Sequence, residues 1–197
     1  MKKVIIFILV LTSLFSCNEK TSKPKISKEL IDLICEENIM QKKVSDSNSK
    51  KLIYRKYNSV YVFAKLNNDK FVETDFFDLL IIYEKEFSSK FDSYNEFMYE
   101  VINEDLVLNE DDFEEKSFYL DKYLKKEFES LPFEDFLKKY SLRKKDDKKL
   151  YFKDENFSSN RYLTISYILY TKGYYLDGGC LGDGTKIYKF EDLLLIK

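Results

Sequence analysis

The sequence predicts an α+β fold in which four or five helices pack on a small antiparallel sheet that ends in a C-terminal β-hairpin. Three observations carry this expectation. Apolar residues recur at helical spacing in two segments, Phe76, Leu79, Leu80, Tyr83 and Phe87, then Phe133, Phe136, Leu137 and Tyr140. Between the helical segments, Leu52 to Leu66 alternates and is rich in Tyr, Val, Phe and Ile, as strands are. All five glycines fall between Gly173 and Gly184, flanked by Tyr174–Leu176 and Ile187–Phe190, the pattern of a hairpin whose loop needs positive φ.

In chain order, Ser27 is placed to cap a first helix, with Ile26 and Ile31 at the spacing of a hydrophobic staple and Leu30, Leu33 and Ile34 continuing the stripe. Gln41 to Lys51 is polar and reads as loop. Leu52 to Leu66 reads as one or two strands, with a break at Asn58-Ser59. Asn67-Asn68-Asp69 is a turn signal, and Phe71-Val72 a short returning strand. Thr74 reads as the next helix cap, with Asp75 and Asp78 in the first turn, where the helix dipole favours negative charge. Asp92 or Ser93 caps a helix that carries Tyr94, Phe97, Met98 and Val101 on one face.

Glu104 to Glu115 is acidic around Leu106-Val107-Leu108. A further helix is expected from Phe118 to Glu129. Pro132 restarts the chain, because proline is tolerated only in a first helical turn. Lys149 to Lys153 reads as a strand. Tyr162 to Tyr170 is almost wholly apolar; Ser158 before it and Lys172-Gly173 after it favour a helix over a buried strand.

The first residues carry a different message. Lys2 and Lys3 precede an unbroken apolar run, Val4 to Leu11, extended by Leu14 and Phe15. The run is roughly a dozen residues, against the ~20 that span a bilayer, so it reads as a secretory signal rather than a membrane helix. Ser16 and Cys17 then give way to Asn18-Glu19-Lys20. Leu14-Phe15-Ser16-Cys17 resembles the lipobox of bacterial lipoproteins, of the Bacteroidetes type, which tolerates Phe15.

The resemblance covers residues 1–17 only. It implies cleavage after residue 16 and lipidation of the Cys17 sulfur, with no implication for the domain that follows. Asn18, where an Asp would hold the protein in the inner membrane, favours the outer membrane. The expected organisation is a signal over 1–16, the lipidated cysteine and a polar tether over 17–25, and one globular domain over 26–197. Each buried CH₂ of an acyl chain contributes about 0.8 kcal/mol, so two or more chains anchor a protein stably without apolar surface of its own.

Composition narrows the chemistry. The chain has no histidine. That excludes a Ser-His-Asp or Cys-His arrangement built from this chain, and removes the commonest metal ligand and the usual proton carrier near pH 7. No cofactor is expected. The expectation is a non-catalytic protein.

Two of the 33 basic residues lie in the signal, and all 35 acidic residues follow it, so a nucleic-acid partner is not expected. The 17 Phe and 16 Tyr accompany a single alanine, Ala64, and three arginines, a pattern of AT-rich coding; most of these rings are expected in the core.

Three motifs have a functional and a structural reading. Cys35 and Cys180, the cysteines other than Cys17, form either a disulfide in an oxidising compartment or two unpaired buried thiols. Asp177 and Asp183 frame the glycine cluster, but it matches neither a P-loop nor an EF-hand loop and reads as a turn. Asn109-Glu110-Asp111-Asp112, with Glu114 and Glu115, offers hard oxygens suited to Ca²⁺, in an order that fits no calcium loop and is more simply a solvated charge cluster. The function expected is a lipid-anchored envelope protein that binds another protein, of the immunity or accessory kind. Acid concentrated on one face would suit a basic partner. The alternative is a small-ligand or glycan-binding lipoprotein using Tyr and Phe platforms.

Overall fold

The computed structural model describes residues 23–24, 26–46, 60–114, 117–153, 157–177 and 184–195, with the side chains of 44–46 left aside. Cys17, the signal, the beginning of the tether, Cys180 and Asp183 lie outside the described residues, as does the strand expected before Val60. The fold is α+β. Among the described residues there are six helices and two small antiparallel sheets, where the sequence predicted four or five helices and one sheet.

Helix α1 spans Lys28–Asp46. The Ser27 Oγ accepts from the Leu30 N–H at 3.3 Å, as expected of a cap. Leu30, Ile31, Ile34 and Cys35 are buried. The polar segment from Gln41, expected as loop, continues the helix to Asp46 instead. Gln and Lys are good helix formers, and Lys42 forms an ion pair with Glu84.

Strands β1 (Tyr61–Lys65) and β2 (Phe71–Asp75) form a hairpin in the register Tyr61↔Asp75 to Lys65↔Phe71. Its turn places Asn68 and Asp69 at φ 62° and 57°, a conformation their short polar side chains tolerate. Later chain lies on both flanks: Leu108 pairs with Leu66, and Phe118 exchanges two 2.8 Å hydrogen bonds with Phe71.

Thr74 does not cap the next helix. It is a buried β2 residue opposite Val62, and Asp75 takes the capping role, its Oδ1 accepting from the Phe77 and Asp78 N–H groups at 2.8 Å. Helix α2 (Phe76–Ile82) then widens into a π-turn at Tyr83–Phe87. Helix α3 (Tyr94–Ile102) begins at Ser93, whose Oγ accepts from the Glu96 N–H at 3.2 Å.

The helix expected from Phe118 begins four residues later, as α4 (Lys122–Ser130). Phe118 is committed to β2, and Asp121 caps the helix by accepting from Tyr123 and Leu124 at 2.9 and 3.0 Å. Pro132 precedes α5 (Phe133–Tyr140), which buries Phe136, Leu137 and Tyr140 as its spacing predicts.

The second sheet has the order β3-β4-β6-β5, from β3 (Ser141–Arg143), β4 (Leu150–Phe152), β5 (Tyr174–Asp177) and β6 (Lys186–Lys189). β5 and β6 are the predicted C-terminal hairpin, with Tyr175 opposite Tyr188 and Leu176 opposite Ile187. The sequence predicts no strand at β3, which exists by pairing with β4.

Helix α6 (Ser159–Thr171) is buried at every position from Thr164 to Thr171. Tyr167 and Tyr170 belong to the core under α1, α3 and the first hairpin. Ile165, Ile168 and Leu169 belong to a second core with α4, α5 and the second sheet. Burial on every side from Thr164 on explains why the stretch Tyr162 to Tyr170 is almost wholly apolar. It ends at Gly173, φ 85°, as the Lys172-Gly173 signal predicts.

Candidate functional site

The acidic stretch from Asn109 does not gather round a common centre. Glu110 turns to the first hairpin, where its carboxylate accepts from Lys70 Nζ at 2.7 and 2.8 Å and from the Ser117 hydroxyl. These bonds hold the Glu110 carboxyl below its ordinary range and raise the Lys70 ammonium above its own. Lys70 also sits 5.8 Å above the Tyr119 ring, which is 54 % exposed.

The carboxylates after Glu110 turn to α2 and its π-turn. Asp78 is pushed up by desolvation, then by the charges of Asp75 and Glu114. Asp112 is pushed up by desolvation, then by the charge of Glu86 and a hydrogen bond with it; Asp111 adds to the effect and Lys85 opposes it. One Asp112 oxygen, Oδ2, is sealed from solvent and meets no donor among the described residues.

The outcome is an acidic ridge of Asp75, Asp78, Glu86, Asp111, Asp112 and Glu114, with Lys85 paired to Glu86 at 3.3 Å. Ile81, three residues after Asp78 on α2, is 47 % exposed. The sequence revealed only the 109–115 half of this ridge. The α2 half read as ordinary dipole-favoured acids in a first turn, and nothing local marks Glu86 as a neighbour of Asp112.

The other candidate residues disperse. Among the described residues Cys35 bonds to no other cysteine, the alternative pairing with Cys180 lying outside them; its sulfur is fully buried, and burial and then the charges of Asp32 and Glu36 push the thiol far above its ordinary range. It is therefore protonated and shielded. Asp32 accepts from Tyr99 Oη and from Asn95 Nδ2, the latter at 2.6 Å, ties that join α1 to α3 and hold its carboxyl low. Asp177 ends β5 opposite Lys186.

Among the described residues, no three or more Cys, Asp or Glu side chains are placed to hold a metal ion, and no helix is long and apolar enough to cross a membrane. Most aromatic rings do pack in the two cores. The exposed tyrosines, Tyr61, Tyr119 and Tyr123, stand on three different parts of the chain: β1, the segment after Phe118, and α4. Searches of family models, of curated proteins and of solved structures give no match to this chain.

Proposed function

We propose that this chain is a lipid-anchored protein of the bacterial cell envelope, and that its domain is a non-catalytic module binding a basic protein partner on the α2 ridge. The observation that carries the reading is that Asp75 and Glu114 lie near Asp78, and Glu86 and Asp111 near Asp112, along α2 and its π-turn, where Ile81 is exposed. Burial first, and repulsion by neighbouring carboxylates second, make Asp78 and Asp112 resist ionising. Relief of that repulsion by an incoming Lys or Arg is a source of affinity, and long-range attraction accelerates encounter. Ile81 supplies the apolar centre that a polar rim needs.

The test is capture from intact, cross-linked cells through a C-terminal tag, comparing the natural chain with Asp78→Lys/Asp111→Lys and with Ile81→Asp. The expected result is one stoichiometric partner, lost from both variants while their circular dichroism is unchanged, and released by raised salt when the cross-linker is omitted. Retention by the charge-reversed variant overturns the assignment of the ridge. A Cys17→Ala control separates the partner from proteins gathered only by the membrane.

A further inference from the structure

The sequence predicts a polar tether over 17–25, and the structure docks its described residues, Lys23 and Pro24, on the domain. Lys23 Nζ reaches both oxygens of Asp105 at 2.9 Å, across 82 positions of sequence. Pro24 is buried, and Ile26 packs against the core. The Lys23–Asp105 pair alone is weak, since both partners are about half exposed or more. The burial of Pro24 beside it removes the freedom that usually weakens such pairs.

The receiving site is built by an unusual helix end. α3 closes in a Schellman motif, with the Glu104 N–H on the Val101 carbonyl at 3.1 Å and the Asp105 N–H on the Glu100 carbonyl at 3.0 Å. The left-handed position, normally glycine, is Glu104 at φ 60°. Its carboxylate turns inward to accept from the Tyr167 hydroxyl, while the next residue, Asp105, stays exposed and meets Lys23. A strained, side-chain-locked turn thus presents the carboxylate that takes the tether.

From this we infer that the docked tether fixes the domain's orientation at the membrane, holding the C-terminal end of α3 and the adjoining Leu106–Leu108 segment toward the lipid surface. The inference rests on the proposed anchor at Cys17. Six residue steps separate Cys17 from Lys23, and they span at most about 20–22 Å fully extended. The α3 C-terminus therefore stays within about 20–22 Å of the bilayer surface, plus the length of the Lys23 side chain. The Ser93 end lies ~13 Å from that attachment along the helix axis and has no attachment of its own among the described residues, so it lies on average farther from the lipid; a tether not docked at Asp105 would give no such bias.

The experiment uses the processed, membrane-inserted protein in phosphatidylcholine vesicles. A carbodiimide activates the carboxyl and joins it to the amine as an amide with loss of water; a Lys23–Asp105 cross-linked peptide is expected, and Asp105→Asn removes it. In parallel, a fluorophore at Val107 or at Asp92, both exposed and at opposite ends of α3, is quenched by spin-labelled phosphatidylcholine. Quenching at Val107 is expected to exceed that at Asp92 at least twofold, and Asp105→Lys is expected to bring the ratio toward one.

Equal quenching in the natural chain, a ratio unmoved by Asp105→Lys, or no cross-link overturns the inference. If mass spectrometry of the protein from the bacterium shows no lipid on Cys17 while the Lys23–Asp105 cross-link still forms, the anchor is overturned and the docked tether stands, so the two failures are distinguishable.

Discussion

Two buried tyrosines on α6 differ in a way that single substitutions read directly. Tyr167 donates to Glu104, whereas the Tyr170 hydroxyl is fully buried against Phe63 and meets no partner in hydrogen-bonding geometry among the described residues. Tyr167→Phe is expected to lower unfolding stability by about 1 kcal/mol, the net worth of one hydrogen bond, while Tyr170→Phe is neutral or stabilising because it removes an unsatisfied buried group. Urea titration of the two variants checks the contrast. The Asp112–Glu86 pair gives a pH signature of definite sign. Asp112 is raised above its unfolded value, so between the two values the folded state holds a proton the unfolded state has lost, and stability falls as pH rises through the folded value. Below the unfolded value, near pH 3, both states are protonated and the penalty disappears. Asp112→Asn, which supplies a permanent N–H to Glu86, is therefore expected to raise Tm at pH 7 and to leave it about unchanged near pH 3, as scanning calorimetry would show.

Element ends carry the next set of consequences. Gly173 ends α6 at φ 85° while its carbonyl accepts from Phe190 at 2.8 Å, so this residue both turns the chain and registers the C-terminal hairpin. Gly173→Ala is expected to cost about 1 kcal/mol, because a Cβ is strained at positive φ, and chemical denaturation measures it. Signals of this local kind were legible in the sequence. Ser27, Ser93, Pro132 and Gly173 mark helix ends because capping depends on neighbours within a few residues, and the Phe133–Tyr140 stripe is readable because that helix buries one face only. The failures share a tertiary cause. Phe118 looks helical until Phe71 claims its backbone, and Thr74 looks like a cap until Val62 pairs with it. Three-residue β3 owes its existence to β4, a partner it meets only after folding. The acidic ridge was half legible for the same reason, since Glu86 and Asp112 lie far apart in sequence and meet through the π-turn.

At the scale of the whole molecule, α6 belongs to both cores, with Tyr170 in one and Leu169 in the other. Neither core keeps its packing when this helix leaves, so both halves are expected to unfold in one transition. Leu169→Ala, at a fully buried position, is expected to cost 2–5 kcal/mol and to shift the midpoints seen by far-ultraviolet circular dichroism and by tyrosine fluorescence equally, although Leu169 itself lies in the second core only. Separate midpoints would show that the halves melt independently. The sealed thiol of Cys35, within α1, follows the same event from the first core. An alkylating reagent cannot reach that sulfur while the native packing stands, so the rate at which mass is added at this one atom becomes a clock for spontaneous opening, readable in living cells without any engineered label.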